Sequence, residues 1–206
     1  AFALTMNARA RHRRFFSKRV KPNICVLEKA SFSREELDEY MTAVGRDLFT
    51  HGLRETLQQF READNFGSLI VPKVANVADV MATLETKDLS GNLFLADTHQ
   101  RVMSVLRMAD YLSPRYAVVV ANPPYMGGKG MNGPLSAWAK ETYPNSKSDL
   151  FAMFIERNLD LAVKGGAVAM ITMQSWMFLS SYEALRSRIL NQHTILSMAH
   201  LGARAF

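Results

Sequence analysis

Apolar positions along this chain follow two periods, and the switches between them mark out its elements. From Ser33 the spacing is helical. A Ser33-Arg-Glu-Glu36 capping box is followed by Leu37, Tyr40, Met41 and Val44 at i, i+3, i+4 and i+7. Phe49, Leu53, Leu57 and Phe60 continue that spacing, and Val77, Val80, Met81 and Leu84 give a further helical face. Between them, Asn65-Phe66-Gly67-Ser68 reads as a turn and Leu69-Ile70-Val71 as an extended piece punctuated by Pro72. Upstream, residues 2–16 predict a helix with Phe2, Leu4, Met6 and Phe15 supplying apolar contacts. Pro22-Asn23 breaks it, and Ile24-Cys25-Val26-Leu27 predicts a short buried strand.

The second half alternates. Val102, Val105, Leu106, Ala109 and Leu112 predict a helix that returns the chain to the apolar run Ala117-Val118-Val119-Val120-Ala121. Consecutive β-branched residues with no polar alternation read as a strand covered on both faces, as in a parallel sheet. Ser148-Asp149 opens a helix carrying Phe151, Phe154, Ile155, Leu159 and Ala162, expected to stop at Gly165-Gly166. Residues 167–172 predict the next buried strand, 181–191 a helix and 194–199 a further strand. Strand, helix, strand in this order is the βαβ arrangement of an α/β fold, with 31–90 as a helical insertion.

Composition changes this picture little. Hydrophobic residues make up 48% and charged residues 21% of the 206 positions, which is ordinary for a folded domain. No apolar run approaches the roughly 20 residues of a membrane helix, and no signal peptide is evident. Cys25 is the single cysteine, which fits a reducing cytoplasm and excludes a cysteine zinc cluster. The five histidines show no i, i+4 pair, so no metal site is expected. The net charge of +6 suits an anionic partner. It is concentrated in Arg9, Arg11, Arg13, Arg14, Lys18, Arg19 and Lys21, either as a solvated helix face or as phosphate contacts.

The chemistry is concentrated in Asn122-Pro123-Pro124-Tyr125, immediately after the valine strand. Two prolines stop the strand and hold Asn122 and Pro123 extended, giving a stiff backbone at a strand's carboxyl end. Open α/β sheets bind their ligands there. The Asn122 side-chain oxygen and the Pro123 carbonyl could accept both N–H groups of a planar amine and stabilise positive charge developing on its nitrogen. Tyr125 would offer a ring face to a flipped base. Asn-Pro is also an ordinary turn starter, which is the competing reading.

This tetrapeptide after a strand resembles the catalytic motif of S-adenosylmethionine-dependent N6-adenine DNA methyltransferases. The longer run Asn122-Pro-Pro-Tyr-Met-Gly-Gly-Lys-Gly-Met-Asn132 resembles the large adenine methyltransferases of BREX phage-defence systems. The likeness extends from Ala1-Phe-Ala-Leu-Thr-Met to His200-Leu-Gly-Ala-Arg-Ala-Phe206. It implies a Rossmann-like core with a mostly parallel sheet and helices on both faces, S-adenosylmethionine as methyl donor, and double-stranded DNA as partner. Other phage-defence components would be further partners, and no membrane is implied. Asn122, Pro123, Pro124 and Tyr125 would be catalytic.

The same resemblance gives Glu28 as a weak candidate near the cofactor, with a structural carboxylate as its rival. Gly127, Gly128 and Lys129 would form a mobile loop over the base, with Lys129 meeting a phosphate. Gly128-x-Gly130-x-x-Gly133 formally fits a dinucleotide fingerprint, but it does not leave the strand directly and lacks the later acidic residue. Trp176 could wall the base pocket or simply pack in the core. An Asp-Pro-x-x-Gly-x-Gly-like cofactor loop is not in the sequence. Residues 1–206 are therefore expected to be a partial catalytic domain, its first strands upstream of Ala1 and its target-recognition domain beyond Phe206. Two rival functions stand beside this one: a non-catalytic DNA-binding or assembly module, and a methyltransferase of RNA or protein amines.

Overall fold

The computed structural model describes residues 2–18, 22–45 and 50–202. Its helices are α1 (Phe2–Arg11), α2 (Arg34–Val44), α3 (Thr50–Gln59), α4 (Ala63–Phe66), α5 (Val77–Glu85) and α6 (Leu93–Leu112), then α7 (Gly133–Thr142), α8 (Leu150–Leu161) and α9 (Glu183–Gln192). Two strands, β1 (Tyr116–Ala121) and β2 (Ala162–Met170), pair in parallel, with Val118 opposite Ala167 and Ala121 opposite Met170. The fold is mixed α/β, and among the described residues the sheet has these two strands. Helices α7 and α8 make the crossover between them, the connection a parallel pair requires.

The predicted helical faces form. Leu37, Tyr40, Met41 and Val44 are all buried, and both halves of the capping box close: the Ser33 hydroxyl accepts from Glu36 N–H, and the Ser33 N–H donates to Glu36. Leu53, Leu57, Phe60, Val77, Val80 and Leu84 join the same core, together with Val102, Val105, Leu106, Ala109 and Leu112 of α6. Helices α2 to α5 thus share one core with α6 and the start of α8. Arg101 ties this layer together, pairing with Glu36 at 2.5 Å and Asp97 at 2.9 Å while donating to the Ser31 carbonyl.

Arg157 holds the centre. It is buried on α8 and donates to three main-chain carbonyls: Ser68 at 3.1 Å, Ile70 at 2.9 Å and Leu112 at 2.7 Å. Those carbonyls belong to the segment after α4 and to the end of α6, so one guanidinium joins the helical stretch to the crossover helix. The Tyr143 hydroxyl adds a bond to the Leu69 carbonyl at 2.7 Å.

Several expectations are corrected. Ile24–Leu27 is not a strand: it has no ladder partner among the described residues, and Ile24 and Val26 are exposed. A strand exists only through its hydrogen-bonded neighbour, which local sequence does not reveal. β1 is not covered on both faces, since Val118 is 61% and Val120 75% exposed. Residues 194–199 are exposed and have no ladder partner among the described residues. Asn65–Phe66 close α4, and Leu69 ends a short 3-10 turn, because burial of Phe66 and Leu69 overrides the local turn signal. α1 stops at Arg11, and Met6 is exposed rather than packed.

α8 ends at Leu161 rather than at the glycines, because Ala162 is already extended and paired with Tyr116. Gly165 and Gly166 sit inside β2 instead. A Cβ on Gly166 would lie 2.9 Å from the Ala117 carbonyl oxygen, so only glycine allows the strands to approach there. Phe154 on α8 is half-buried, while Leu150, Ala152 and Met153 are buried: α8 is covered around most of its circumference. Phe49, Arg19 and Lys21 lie outside the described residues.

The Tyr40 hydroxyl and His99 Nδ1 are 2.8 Å apart. Burial raises the Tyr40 phenol above its ordinary value. Burial also pushes His99 below its ordinary value. Protonation therefore favours the unfolded chain. The contribution of this pair is complete above about pH 6.5 and is lost as the pH falls through the lower folded value. Urea midpoints measured across that range should drop toward acid more steeply in the natural protein than in His99→Gln. Parallel curves would contradict the assignment.

Candidate active site

The site is built where β1 ends. The Ala121 carbonyl still accepts from Ile171 N–H at 3.3 Å, continuing the pairing one step past the strand. The prolines then take the chain out of the ladder. Pro123 is buried, whereas Asn122, Pro124 and Tyr125 are exposed. Among the described residues the Asn122 amide, the Pro123 carbonyl and the Tyr125 hydroxyl have no hydrogen-bond partner. Two neighbouring acceptors on a proline-stiffened segment are thus uncommitted, at the carboxyl end of a parallel strand.

Tyr125 has an aromatic neighbour. Its ring, 46% exposed, meets Phe151 edge to face at 6.2 Å between centroids and 68° between planes. Phe151 in turn lies 5.9 Å from the Tyr182 ring, in the second core cluster of Phe151, Ala152, Ile155, Tyr182, Leu185 and Ile189. Burial, with the Asp149 carboxylate adding to it, raises the Tyr182 phenol above its ordinary value.

The loop after Tyr125 is pinned at both ends. Met126 N–H donates to Asp149 Oδ1 at 3.0 Å, the Met126 carbonyl accepts from Leu150 N–H at 3.1 Å, and Gly128 N–H reaches the Ser148 carbonyl at 3.0 Å. At the far end Asn132 caps α7 through Leu135 N–H and exchanges two 3.1 Å amide bonds with Asn65. The Phe66 and Trp138 rings stack beside that pair at 4.2 Å. Between these anchors Gly130 N–H closes a tight turn onto the Gly127 carbonyl at 2.8 Å, and Lys129 projects into solvent with no partner among the described residues. Gly127 and Gly128 have no positive φ, and a Cβ there would meet its nearest atoms at 3.5 and 4.0 Å. The loop's own packing demands glycine at neither position.

The other candidates lie on other segments of the chain. Glu28 is exposed beyond the extended segment 24–27, its N–H on Met108 Sδ and its carboxylate unpaired among the described residues. With Cys25 and Tyr111 it lines an open cleft of about 410 Å³. Trp176 follows β2 and is half-buried against the Phe151 cluster, its indole N–H donating to Thr172 at 3.3 Å. Arg11, Arg13 and Arg14 are exposed and Arg9 half-buried. No described helix is long and apolar enough to cross a membrane.

Residues 31–206 match the family described as Eco57I restriction-modification methylase. The chain belongs to that family. It is also similar to the adenine-specific methyltransferase BrxX of Escherichia coli O9:H4 (strain HS), 40% identical over 229 aligned positions that cover all of this chain and 19% of that protein. The adenine-specific methyltransferase PglX of Lacticaseibacillus casei (strain Zhang) is 37% identical over 211 positions, again the whole chain and 17% of the relative. The chain therefore spans less than a fifth of the length of either methyltransferase.

Within this methylase chain, sequence reasoning found the turn but missed what holds it. Asp149 was visible only as a helix opener. Nothing in a separation of 23 residues announces that its carboxylate also binds Met126 N–H. The Asn65–Asn132 pair, 67 residues apart, left no sequence signal either.

Proposed function

We propose that this chain is the part of an adenine-specific DNA methyltransferase that holds the target amine, in a BREX-type phage-defence setting. The observation that carries the reading is the pair of uncommitted acceptors, Asn122 Oδ1 and the Pro123 carbonyl, on a stiff turn beside a half-exposed aromatic ring. The N6 lone pair of adenine is delocalised into the ring, so the amine is a poor nucleophile. Acceptors on both its N–H groups favour a more tetrahedral nitrogen and stabilise positive charge as the new bond forms, while Pro123 and Pro124 spare the site reorganisation. Tyr125 stacks on the extruded base and Phe151 fixes the angle of its ring. Glycines at 127 and 128, not required by the loop itself, leave room for a strand to approach, and Lys129 meets a phosphate.

S-adenosylmethionine would supply the electrophilic methyl group. The fit is partial: an exposed, unpaired carboxylate such as Glu28 suits ribose hydroxyls, and the described residues offer no glycine loop for the rest of the cofactor. Double-stranded DNA and other defence components are the partners this reading names. In the larger protein, further strands of a Rossmann-like sheet would cover Val118, Val120 and the 24–27 segment, with residues 31–90 as a helical insertion.

Substitution of Tyr125 tests stacking. Tyr125→Phe keeps the ring face and should retain activity within a few-fold. Tyr125→Ala should lose on the order of 1–3 kcal/mol of base binding, roughly 10-fold to 100-fold in methylation of a duplex. Equal losses in the two variants would assign the work to the hydroxyl and refute the stacking role.

A further inference from the structure

We infer that Asp149 is a positioning residue for the base-holding turn, rather than a helix cap alone. The inference rests on the reading above for what Tyr125 does. The Asp149 side chain is buried, yet it is not spent on a cation: Oδ1 accepts from Phe151 N–H at 3.3 Å, capping α8, and from Met126 N–H at 3.0 Å. One oxygen therefore joins the residue directly after Tyr125 to the residue whose ring touches Tyr125. Leu150 N–H on the Met126 carbonyl completes a two-bond clamp at the same spot. Tyr125 is consequently fixed from two sides, through its main chain by Asp149 and through its ring by Phe151 at 6.2 Å.

An ordinary cap satisfies the first N–H groups of its own helix. Here the cap also satisfies an N–H 23 residues upstream, at the exit of a turn whose other side carries Asn122 and Pro123. Prolines stiffen the entry to that turn but cannot set where it leaves. Asp149 is the side chain that sets the exit, beside the main-chain bonds of Leu150 and Gly128. Without it Met126 keeps its carbonyl contact, but the Tyr125 main chain loses its lateral restraint, and the ring no longer meets the base at one angle. Misplacement of a contact group by about 1 Å can cost about 10²-fold in rate.

The test compares Asp149→Asn with Asp149→Ala in the intact protein. Asparagine keeps an oxygen where Oδ1 stands and should remain within about threefold of the natural rate, because the acceptor and not the charge carries the role. Alanine should lower kcat by about 10²-fold while leaving DNA affinity little changed, and should lower the melting temperature by only the few degrees that loss of a helix cap costs. Amide hydrogen exchange gives a readout independent of catalysis. In Asp149→Ala the Met126 amide should lose protection while Met153 and Ile155 on α8 keep theirs. Unchanged protection of Met126, or full activity in Asp149→Ala, would overturn the inference. So would equal damage from asparagine and alanine. If the natural protein itself fails to methylate duplex DNA, the functional reading falls, and the exchange result still decides whether Asp149 restrains the turn.

Discussion

Replacing Asn122 with alanine in the intact protein is expected to lower adenine methylation by about 10²–10³-fold, the usual consequence of deleting one preorganised dipole aimed at developing charge. Stability should stay within about 0.5 kcal/mol, since Asn122 is exposed and bonds to nothing among the described residues. DNA affinity should change little, because phosphate contacts rather than one amide dominate it. The loss should therefore appear in single-turnover rates and not in binding. A variant that methylates at the natural rate would remove Asn122 from the chemistry, and a variant that unfolds would show that the side chain has a structural partner after all.

The second large effect concerns the fold. Arg157→Leu should destabilise the chain by roughly 3–5 kcal/mol, because the Ser68, Ile70 and Leu112 carbonyls would be left buried without their donor, at about 1–3 kcal/mol for each unsatisfied group. Leucine replaces part of the lost packing, so the cost arises mainly from those carbonyls. Arg157→Lys should recover less than half, since one ammonium cannot span the positions that a planar fork reaches. Denaturant unfolding measures both. A leucine variant within about 1 kcal/mol of the natural protein would mean that water takes over these carbonyls and that Arg157 is dispensable.

How far the sequence could be read depended on whether a signal was local. The Ser33 capping box, the helical stripe of Leu37, Tyr40, Met41 and Val44, and the strand before Asn122 are all written within a few residues, and each is present. Partnership across the chain was not written locally. Ile24–Leu27 has the composition of a strand but no ladder neighbour among the described residues, and the valines of β1 have one face open. The glycines at 165 and 166 looked like a helix stop because that is the commonest reason for such a pair. Their actual reasons differ: Gly165 takes a positive φ of 78°, and Gly166 lies where β2 approaches Ala117 closely. At the candidate site, the turn was legible because its two prolines stand together after a strand, whereas Asp149 and Arg157 bond main-chain groups, and Asn65 a side-chain amide, of distant segments.

The anchoring of the 126–132 loop also alters what that segment can do. A mobile loop over the base was the expectation. Bonds to Asp149, Ser148 and Leu150 on one side and to Asn65 on the other anchor both ends of the segment that carries Lys129. A phosphate contact from Lys129 would then be made from a pre-shaped turn, at lower entropic cost than closing a flexible loop.

If Asn122 holds an adenine amine during methyl transfer, as proposed, N6-methyladenine mapping in host DNA will read it out. Cells carrying the intact natural protein are predicted to show a mark at one sequence, and cells carrying Asn122→Ala at equal protein level are predicted to lack it. The same mark in both strains, or no mark in either, would contradict the account.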